Sequence, residues 1–385
     1  MGDSSNRFAR DGCVDSRPHL SLQTTQPKHF GQGWISGVLS VFFGVLGLGA
    51  VCCFLFPSIL TMPELRTLYP IPWVRALLHT VLVAAFVSGA ISASLRYNKA
   101  LGATGLALAL AAWLLGGSHA SSSGEVHNGP FLGLDWLLLN LIGYSVVFVP
   151  IERLFPLHPE QRTFRRQWRV DLIYFAVSAL IVQVTTLLTM RPAMVLFDSA
   201  RNGWMTAHIA ALPFVAQFFL ILLLSDLTQY WVHRAFHVVP FLWRFHAIHH
   251  SVEVMDWLAG SRLHLVDAVV TRAISYVPIY ILGFSERAMF AYVAWVVIQA
   301  TFIHANVRWE FGWLRPVLAT PAFHHWHHSA EREAVDKNFA VHLPVLDRIF
   351  GSYYLPDQWP ESYGLAEGAS VPEGYLGQLV KPFTG

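Results

Sequence analysis

Long apolar runs separated by short polar segments fill much of the chain before its histidine-rich part. Each run is close to the roughly 20 residues that an α-helix needs to cross about 30 Å of hydrocarbon. Proline, glycine or charged residues bound the runs, as helix ends require. The six runs are residues 35–59, 74–94, 102–119, 132–151, 171–190 and 209–231. This pattern predicts an all-α fold, a polytopic bundle of transmembrane helices.

Two shorter apolar segments, 266–284 and 287–303, follow the sixth run and are joined by the turn 283–287. They form either a hairpin that dips into the bilayer or two full crossings. Both arrangements leave the flanking residues on one side of the membrane. From about Arg308 onward the chain mixes polar residues with proline and tryptophan, which predicts a polar cap.

Composition supports a membrane protein. The chain is 54% hydrophobic and only 13% charged, against about 25% charged in an average soluble domain. A net charge of +2 is too small for a nucleic-acid partner. Cys52 and Cys53 are neighbours in an apolar run and Cys13 stands alone, so no disulfide framework is expected. The first run is too long for the core of a signal peptide, and we expect a retained helix.

Basic residues are distributed unevenly between the predicted loops. After an even number of crossings, the segments on the side of the N-terminus hold eleven Lys and Arg, whereas the opposite segments hold Arg66, Arg75, Arg191 and Arg201. The positive-inside rule therefore places the N-terminus and the end of the sixth helix in the cytoplasm. We favour a bacterial inner membrane over the endoplasmic reticulum.

Twelve of the nineteen histidines lie between 233 and 342. The first group, His233 and His237, shares a helical face with Asp226 and Tyr230, because the spacings are four, three and four residues. Asp226 either accepts a hydrogen bond from a ligating imidazole or pairs with an arginine nearby. We interpret Tyr230 as part of a pocket wall rather than a radical centre.

Two further groups repeat the pattern H-x-x-H-H, in which histidines meet on one helical turn. They are His246, His249 and His250, and then His324, His327 and His328, with His325 inside the second pattern. Together with His233 and His237 they offer eight ligands. Eight ligands are too many for one tetrahedral zinc but suit two metals that keep open positions. Imidazole binds iron, copper, zinc and nickel, so ligand type alone does not identify the metal.

A membrane metal transporter is the alternative from another functional class. A transport path would place ionisable ligands near the middle of the bilayer. The predicted spans are nearly free of such residues, and the histidines instead lie where apolar helices end. Because unactivated C–H bonds need a metal–oxygen oxidant, this position favours oxidation of a lipid over the passage of an ion.

At these residues the chain resembles the fatty acid hydroxylase/sterol desaturase superfamily, whose signature is H-x(3)-H, H-x-x-H-H and H-x-x-H-H. The resemblance covers about 140 to 385 and includes Arg262-Leu263-His264 and Asn338-Phe339-Ala340. In the chain, Leu265-Val266-Asp267 replaces the family's P-x-E. The resemblance implies a cytoplasmic, histidine-rich di-metal cap and three regions: a polar N-terminus (1–34), additional transmembrane helices (35–130) and a catalytic domain (131–385).

The resemblance also implies cofactors and partners. Family members hold two iron ions with nine or ten histidines, so His264 and His304 are candidate extra ligands, with capping or hydrogen bonding as the alternative role. His325 and His342 are expected either to support the site or to have a structural role. The expected reaction uses O2 and electrons from NAD(P)H, delivered through a reductase and cytochrome b5 or ferredoxin. The chain carries no G-x-G-x-x-G after a strand, so this donor is expected to be external.

The substrate implied by the resemblance is a lipid from the bilayer. Sterols, acyl lipids and ether lipids all remain open, and hydroxylation is favoured slightly over desaturation.

Overall fold

The structure is a computed structural model that describes residues 33–122, 129–309, 311–365 and 369–384. Most of the polar N-terminus, and residues 123–128 of the loop before Pro130, lie outside this description. The described part contains helices and no strand, with two isolated bridges, Pro156 to Val307 and Ser329 to Tyr363. The prediction of an all-α fold is confirmed.

The described part of the chain contains sixteen α-helices. They are α1 (Ile35–Leu55), α2 (Pro57–Leu60), α3 (Pro63–Arg66), α4 (Ile71–Leu95), α5 (Ala100–Leu114), α6 (Leu134–Leu154), α7 (Trp168–Leu180), α8 (Val182–Phe197), α9 (Gly203–Ala210), α10 (Phe214–Val238), α11 (Pro240–His250), α12 (Leu265–Leu282), α13 (Glu286–Phe302), α14 (Pro321–His327), α15 (Val345–Phe350) and α16 (Tyr375–Val380).

Six helices in the described part are long and apolar enough to cross a membrane: α1, α4, α5 with the turn that extends it to His119, α6, α10 and α12. Five of them coincide with predicted runs, and α12 coincides with the first of the two shorter segments. The predicted straight span 171–190 is instead a bent pair. Here α7 and α8 meet at 62° because the backbone of Ile181 (φ −94°, ψ 20°) leaves the helical conformation.

The first three long helices pack tightly through small residues. The Ser40 hydroxyl in α1 donates to the carbonyl of Ala85 in α4 over 2.8 Å. At Gly105 in α5, an added Cβ would lie only 1.9 Å from Ser40 Oγ, so no larger residue fits there. Small side chains let membrane helices approach closely enough for such contacts. α6 joins this bundle where Leu138 packs against Leu46 and Cys53.

The long helix α10 connects this membrane part to the histidines. Its C-terminal end turns sharply into α11, because Val239 is extended (φ −96°, ψ 113°) and Pro240 starts the new helix. Phe236 and Phe245 pack together across the turn with Val232. The histidine-bearing ends of α10 and α11 are thereby held against each other.

Candidate metal centre

Nine histidines form two groups, each able to hold one metal ion. The first cluster is His233, His237, His246, His250 and His327, and the second cluster is His249, His304, His324 and His328. Within each cluster the candidate ligand atoms all lie within 4.8 Å of one another. The rings come from α10, α11, α14 and the turn that follows α13.

Each H-x-x-H-H pattern is divided between the two clusters. On α11, His246 and His250 turn toward the first cluster and His249 toward the second. On α14 the division is reversed, since His324 and His328 belong to the second cluster and His327 to the first. Residues four apart lie nearly above one another, whereas consecutive residues such as His249 and His250 are about 100° apart around the helix, so one helical turn serves two centres.

The clusters adjoin each other. The ring of His250 stacks on His328 with centroids 4.5 Å apart and planes inclined by 23°. His327 and His328, neighbours in sequence, stand at 88° with centroids 5.3 Å apart. Two ions held by these rings would therefore share one site, as two-metal catalysts do.

Distances between ring nitrogens fit ligands around a common ion. The Nε2 atoms of His233 and His246 are 3.0 Å apart, and those of His304 lie 3.0 Å from His324 and 3.4 Å from His249. Ligands about 2.1 Å from one ion stand roughly 3.0 to 3.4 Å apart in octahedral or tetrahedral geometry. The donor set and its spacing therefore fit a metal.

Unpartnered buried nitrogens point to the same conclusion. The Nε2 atoms of His237, His250 and His327 are buried and have no hydrogen-bond partner in the described part of the chain. A buried polar atom without a partner is costly, and a metal ion would satisfy all three. All three belong to the first cluster.

Backbone carbonyls orient four of the rings through Nδ1. The Nδ1–H groups of these histidines donate as follows: His233 to Phe339 O (2.7 Å), His327 to Lys337 O (2.8 Å), His249 to Arg262 O (3.0 Å) and His304 to Ala300 O (2.7 Å). A carbonyl only accepts, so Nδ1 carries the proton and the Nε2 lone pair is free to bind a metal.

Carboxylates orient two rings of the first cluster. His246 Nδ1 donates to Asp267 Oδ2 over 2.6 Å, and both side chains are buried. His237 Nδ1 lies 3.4 Å from Asp336 Oδ1, a carboxylate that is half exposed. A carboxylate partner raises the basicity of a ligating imidazole. The second cluster has no carboxylate partner among the described contacts.

Burial keeps the imidazoles outside the spanning helices neutral. It lowers the pKa of His246, His250 and His324 well below the usual range, and that of His304 to about 4. Neutral imidazole is the form that binds metals. The rings are therefore ready to act as ligands at neutral pH.

Asp226 and Tyr230, the two residues of α10 predicted to support the site, contact no ligand ring in the described part of the chain. Asp226 accepts backbone N–H groups from Val341 (2.9 Å), His342 (3.1 Å) and Leu343 (2.6 Å), and the described contacts include neither a ligand ring nor an arginine. This replaces both roles considered for it, because the chain 341–343 passes directly over its carboxylate. The Tyr230 hydroxyl lies 2.7 Å from Ser352 Oγ, and its ring packs against Phe339.

Three other histidines lie outside both clusters. His264 caps α12, since its Nδ1 accepts from Val266 N and its Nε2 lies 3.0 Å from Leu379 O. These bonds occupy both ring nitrogens, so capping replaces the ligand role expected for it. His325 contacts Tyr363 and the Ala305 carbonyl, and His342 is buried beside Tyr292. Asp267 was missed as a partner, although its place in the family's P-x-E position was the available signal.

Comparisons with known proteins agree with this geometry. Residues 218–352 match the fatty acid hydroxylase family. An ornithine lipid hydroxylase of Rhizobium tropici is 32% identical over 45% of this chain and 52% of its own length. An alkylglycerol monooxygenase of Danio rerio is 30% identical over 44% of this chain and 37% of its own. A Delta(7)-sterol 5(6)-desaturase of Gibberella zeae is 26% identical over 56% of this chain and 58% of its own length.

The chain thus spans about half the length, or less, of the first two relatives. No solved structure matches it.

Proposed function

We propose that this chain, whose residues 218–352 match the fatty acid hydroxylase family, is a membrane enzyme that hydroxylates a C–H bond of a lipid. Desaturation by the same site is the alternative outcome. The observation that carries the proposal is the pair of adjoining histidine clusters at the ends of apolar helices. The matched relatives act, by their names, on an ornithine lipid, an alkylglycerol and a sterol.

Two iron ions, when bound by the nine histidines, supply the reactivity toward O2 and C–H bonds that side chains lack. The chain's own groups hold the ligand nitrogens in place and set their tautomers. In hydroxylation one oxygen atom enters the lipid, and the other leaves as water with two electrons and two protons. Desaturation instead removes two hydrogens and releases both oxygens as water. The electrons come from NAD(P)H through a reductase and cytochrome b5 or ferredoxin.

The position of the clusters favours a substrate from the bilayer. His233 and His237 lie in the last turns of α10, and Asp267 in the first turn of α12, both of them candidate spans. The reacting carbon would therefore lie near the boundary between hydrocarbon and the polar cap. We propose a sterol, acyl or ether lipid as substrate, and a bacterial inner membrane with the clusters on the cytoplasmic side.

The decisive experiment combines metal content with product analysis. We expect the purified chain to carry about two irons and, with a reductase system and ¹⁸O2, to place one labelled oxygen in a lipid. His233→Ala, His249→Ala and His327→Ala should abolish turnover while the protein still inserts into the membrane. His208→Ala, an exposed histidine on α9, is the matched control. Full turnover in any of the three variants, or in metal-free protein, would refute the proposal.

A further inference from the structure

One short loop orients most of the first cluster. This orienting loop, residues 336–339, supplies three of the acceptors described above: the Asp336 carboxylate for His237, the Lys337 carbonyl for His327 and the Phe339 carbonyl for His233. All three contacts involve Nδ1, so the three Nε2 atoms are left for the centre of the cluster.

The loop has a backbone conformation that few sequences adopt. Asp336 (φ 56°) and Asn338 (φ 60°) are both in the left-handed region, which non-glycine residues rarely enter and which Asp and Asn tolerate best. With positive φ at every second residue, the Asp336 carboxylate and the carbonyls of Lys337 and Phe339 all face the histidines. Such conformations persist when surrounding contacts hold them, and they concentrate at functional sites.

Asn338 holds the loop from within. Its side-chain amide donates to the carbonyls of Phe323 (2.9 Å) and Tyr354 (2.6 Å). Its side-chain oxygen accepts from Tyr354 N over 2.8 Å. The side chain is fully buried. The loop is thereby attached to α14, which carries His327, and to the segment after α15.

Two buried carboxylates hold the chain that follows the loop. Asp347 accepts the backbone N–H groups of Phe339 (2.7 Å) and Ala340 (2.9 Å). Asp226 accepts those of the next three residues, as described above. These five bonds fix residues 339–343 and so fix the carbonyl of Phe339. They also give Asp226 a role that its helical register alone did not reveal.

The rings of the second cluster make no bond to this loop among the described contacts, although α14, to which Asn338 is bonded, also carries His324. Its carbonyl acceptors are Arg262, which lies between α11 and α12, and Ala300 in α13. The described contacts give the loop no bond to His249, His304 or His324. The carbonyls that accept from Nδ1 in the two clusters therefore come from separate parts of the chain.

We infer that residues 336–339 are a positioning element for one of the two metal ions, the ion held by the first cluster. This inference rests on the proposed metal-binding function of the clusters. Distorting the loop would weaken the binding of the first-cluster ion and have little effect on the binding of the second-cluster ion. A loop with a merely structural role would affect both ions together, through loss of folded protein.

The test is Co²⁺ titration of the purified, metal-free full chain, followed by absorption spectroscopy. His327→Ala and His304→Ala assign the spectral bands of the first and second clusters. We expect Asn338→Ala to weaken binding of the first-cluster ion by roughly 10- to 100-fold and to weaken binding of the second-cluster ion far less, since its only route to that cluster is the bond to Phe323 on α14. Asn338→Gly should recover part of this loss, because glycine adopts positive φ without a steric penalty.

Two further variants keep the test decisive if Asn338→Ala does not fold. Asp336→Asn removes a half-exposed charge without disturbing the core, and it should weaken only the first-cluster ion. Asp357→Ala, an exposed acid beside Arg315, should change neither ion. Equal weakening of both ions, or no change in any loop variant, overturns the inference. A wild-type chain that binds two ions but oxidises no lipid overturns the proposed function and leaves this inference standing.

Discussion

At the scale of single residues, the chemistry depends on which ring nitrogen of each histidine carries the proton. Among the acceptors that fix this choice, Asp267 is the fully buried carboxylate. Its bond to His246 Nδ1, at 2.6 Å, is also the shortest in the site. A charged acceptor at this position both orients the ring and increases its basicity.

We therefore predict that Asp267→Ala lowers metal affinity and turnover by roughly 10- to 100-fold. Asp267→Asn should lose less, because the amide oxygen still accepts from Nδ1–H. Asp267→Glu, which restores the residue of the family pattern, is the conservative control and should stay closest to wild type. Metal per folded chain and initial rate are measured together. An Asp267→Ala protein with normal values for both would remove this carboxylate from the site.

The sequence predicted most residues of the candidate site. All eight histidines of the three motifs, and His304, lie in the two clusters. Spacing could not show which histidines of each motif belong to which cluster. Residues on one helical face can still contact different metal centres, and only the packing of the helices decides which. Spacing also failed to reveal the partners of Asp226 and the choice between the ligand role and the capping role considered for His264, for a related reason. Their partners, around residues 341–343 and Leu379, are more than a hundred positions away in sequence.

At the scale of elements, buried ion pairs connect the bent helix pair to the metal site. Asp171 on α7 accepts from both Arg262 (2.5 Å) and Arg165 (2.7 Å), and Arg165 also binds Asp256. The carbonyl of Arg262 is the acceptor for His249. The ion pairs therefore hold Arg262, and through its carbonyl they hold the ring of His249 in the second cluster.

Removing Asp171 should be severe, because two buried arginines would lose a partner. We predict that Asp171→Ala lowers the free energy of unfolding by about 3–5 kcal/mol. Arg166→Ala is the matched control. This exposed arginine pairs with Glu253 and Glu373, and its loss should change the stability little because water screens exposed ion pairs. Thermal unfolding in detergent measures both variants, and similar melting temperatures for the two would contradict the prediction.

Hydrophobic runs were sufficient to predict five of the spanning helices, since length and composition determine them. The 62° bend between α7 and α8 left no such signal. The break falls at Ile181, where neither proline nor glycine marks it. The hydrophobic pattern did not predict the orienting loop either, because a segment without periodicity gives no information about its tertiary contacts.

At the scale of the whole molecule, the neutral histidine site makes stability depend on pH. Burial lowers the pKa of His325 to about 3 and those of His324 and His328 well below the ordinary value near 6.5. Between the folded and unfolded pKa values the unfolded chain binds more protons. Stability is therefore complete above about pH 6.5 and falls as the pH drops below it.

We predict that the metal-free protein loses up to about 1.4 kcal/mol per buried histidine for each pH unit below about 6.5. Bound metal should oppose this loss until protons displace it, since ligands must be deprotonated to bind. Melting temperatures between pH 5 and pH 8, with and without metal, check the effect. A metal-free protein equally stable at pH 5 and pH 7 would contradict it.

Orientation in the membrane is a further property of the whole molecule. We predict that, in a chain without native cysteines, a membrane-impermeant thiol reagent labels Ser121→Cys in intact cells. Glu160→Cys should react only after permeabilisation, because the segment around it carries five arginines between 153 and 169. Both positions are exposed, so reagent access is matched. The reverse pattern would place the histidine clusters on the opposite side.

The scarcity of carboxylates around the clusters has an electrical consequence. The imidazoles are neutral, and among the residues that the structure describes the carboxylates that contact them are Asp267 and the half-exposed Asp336. Two divalent ions would bring four positive charges, whereas the two carboxylates supply two negative charges. Since an uncompensated charge is costly in a buried site, we expect a loaded centre to draw part of its counter-charge from solution. Small anions and ionised water should therefore enter this site together with the metal and leave it with the metal.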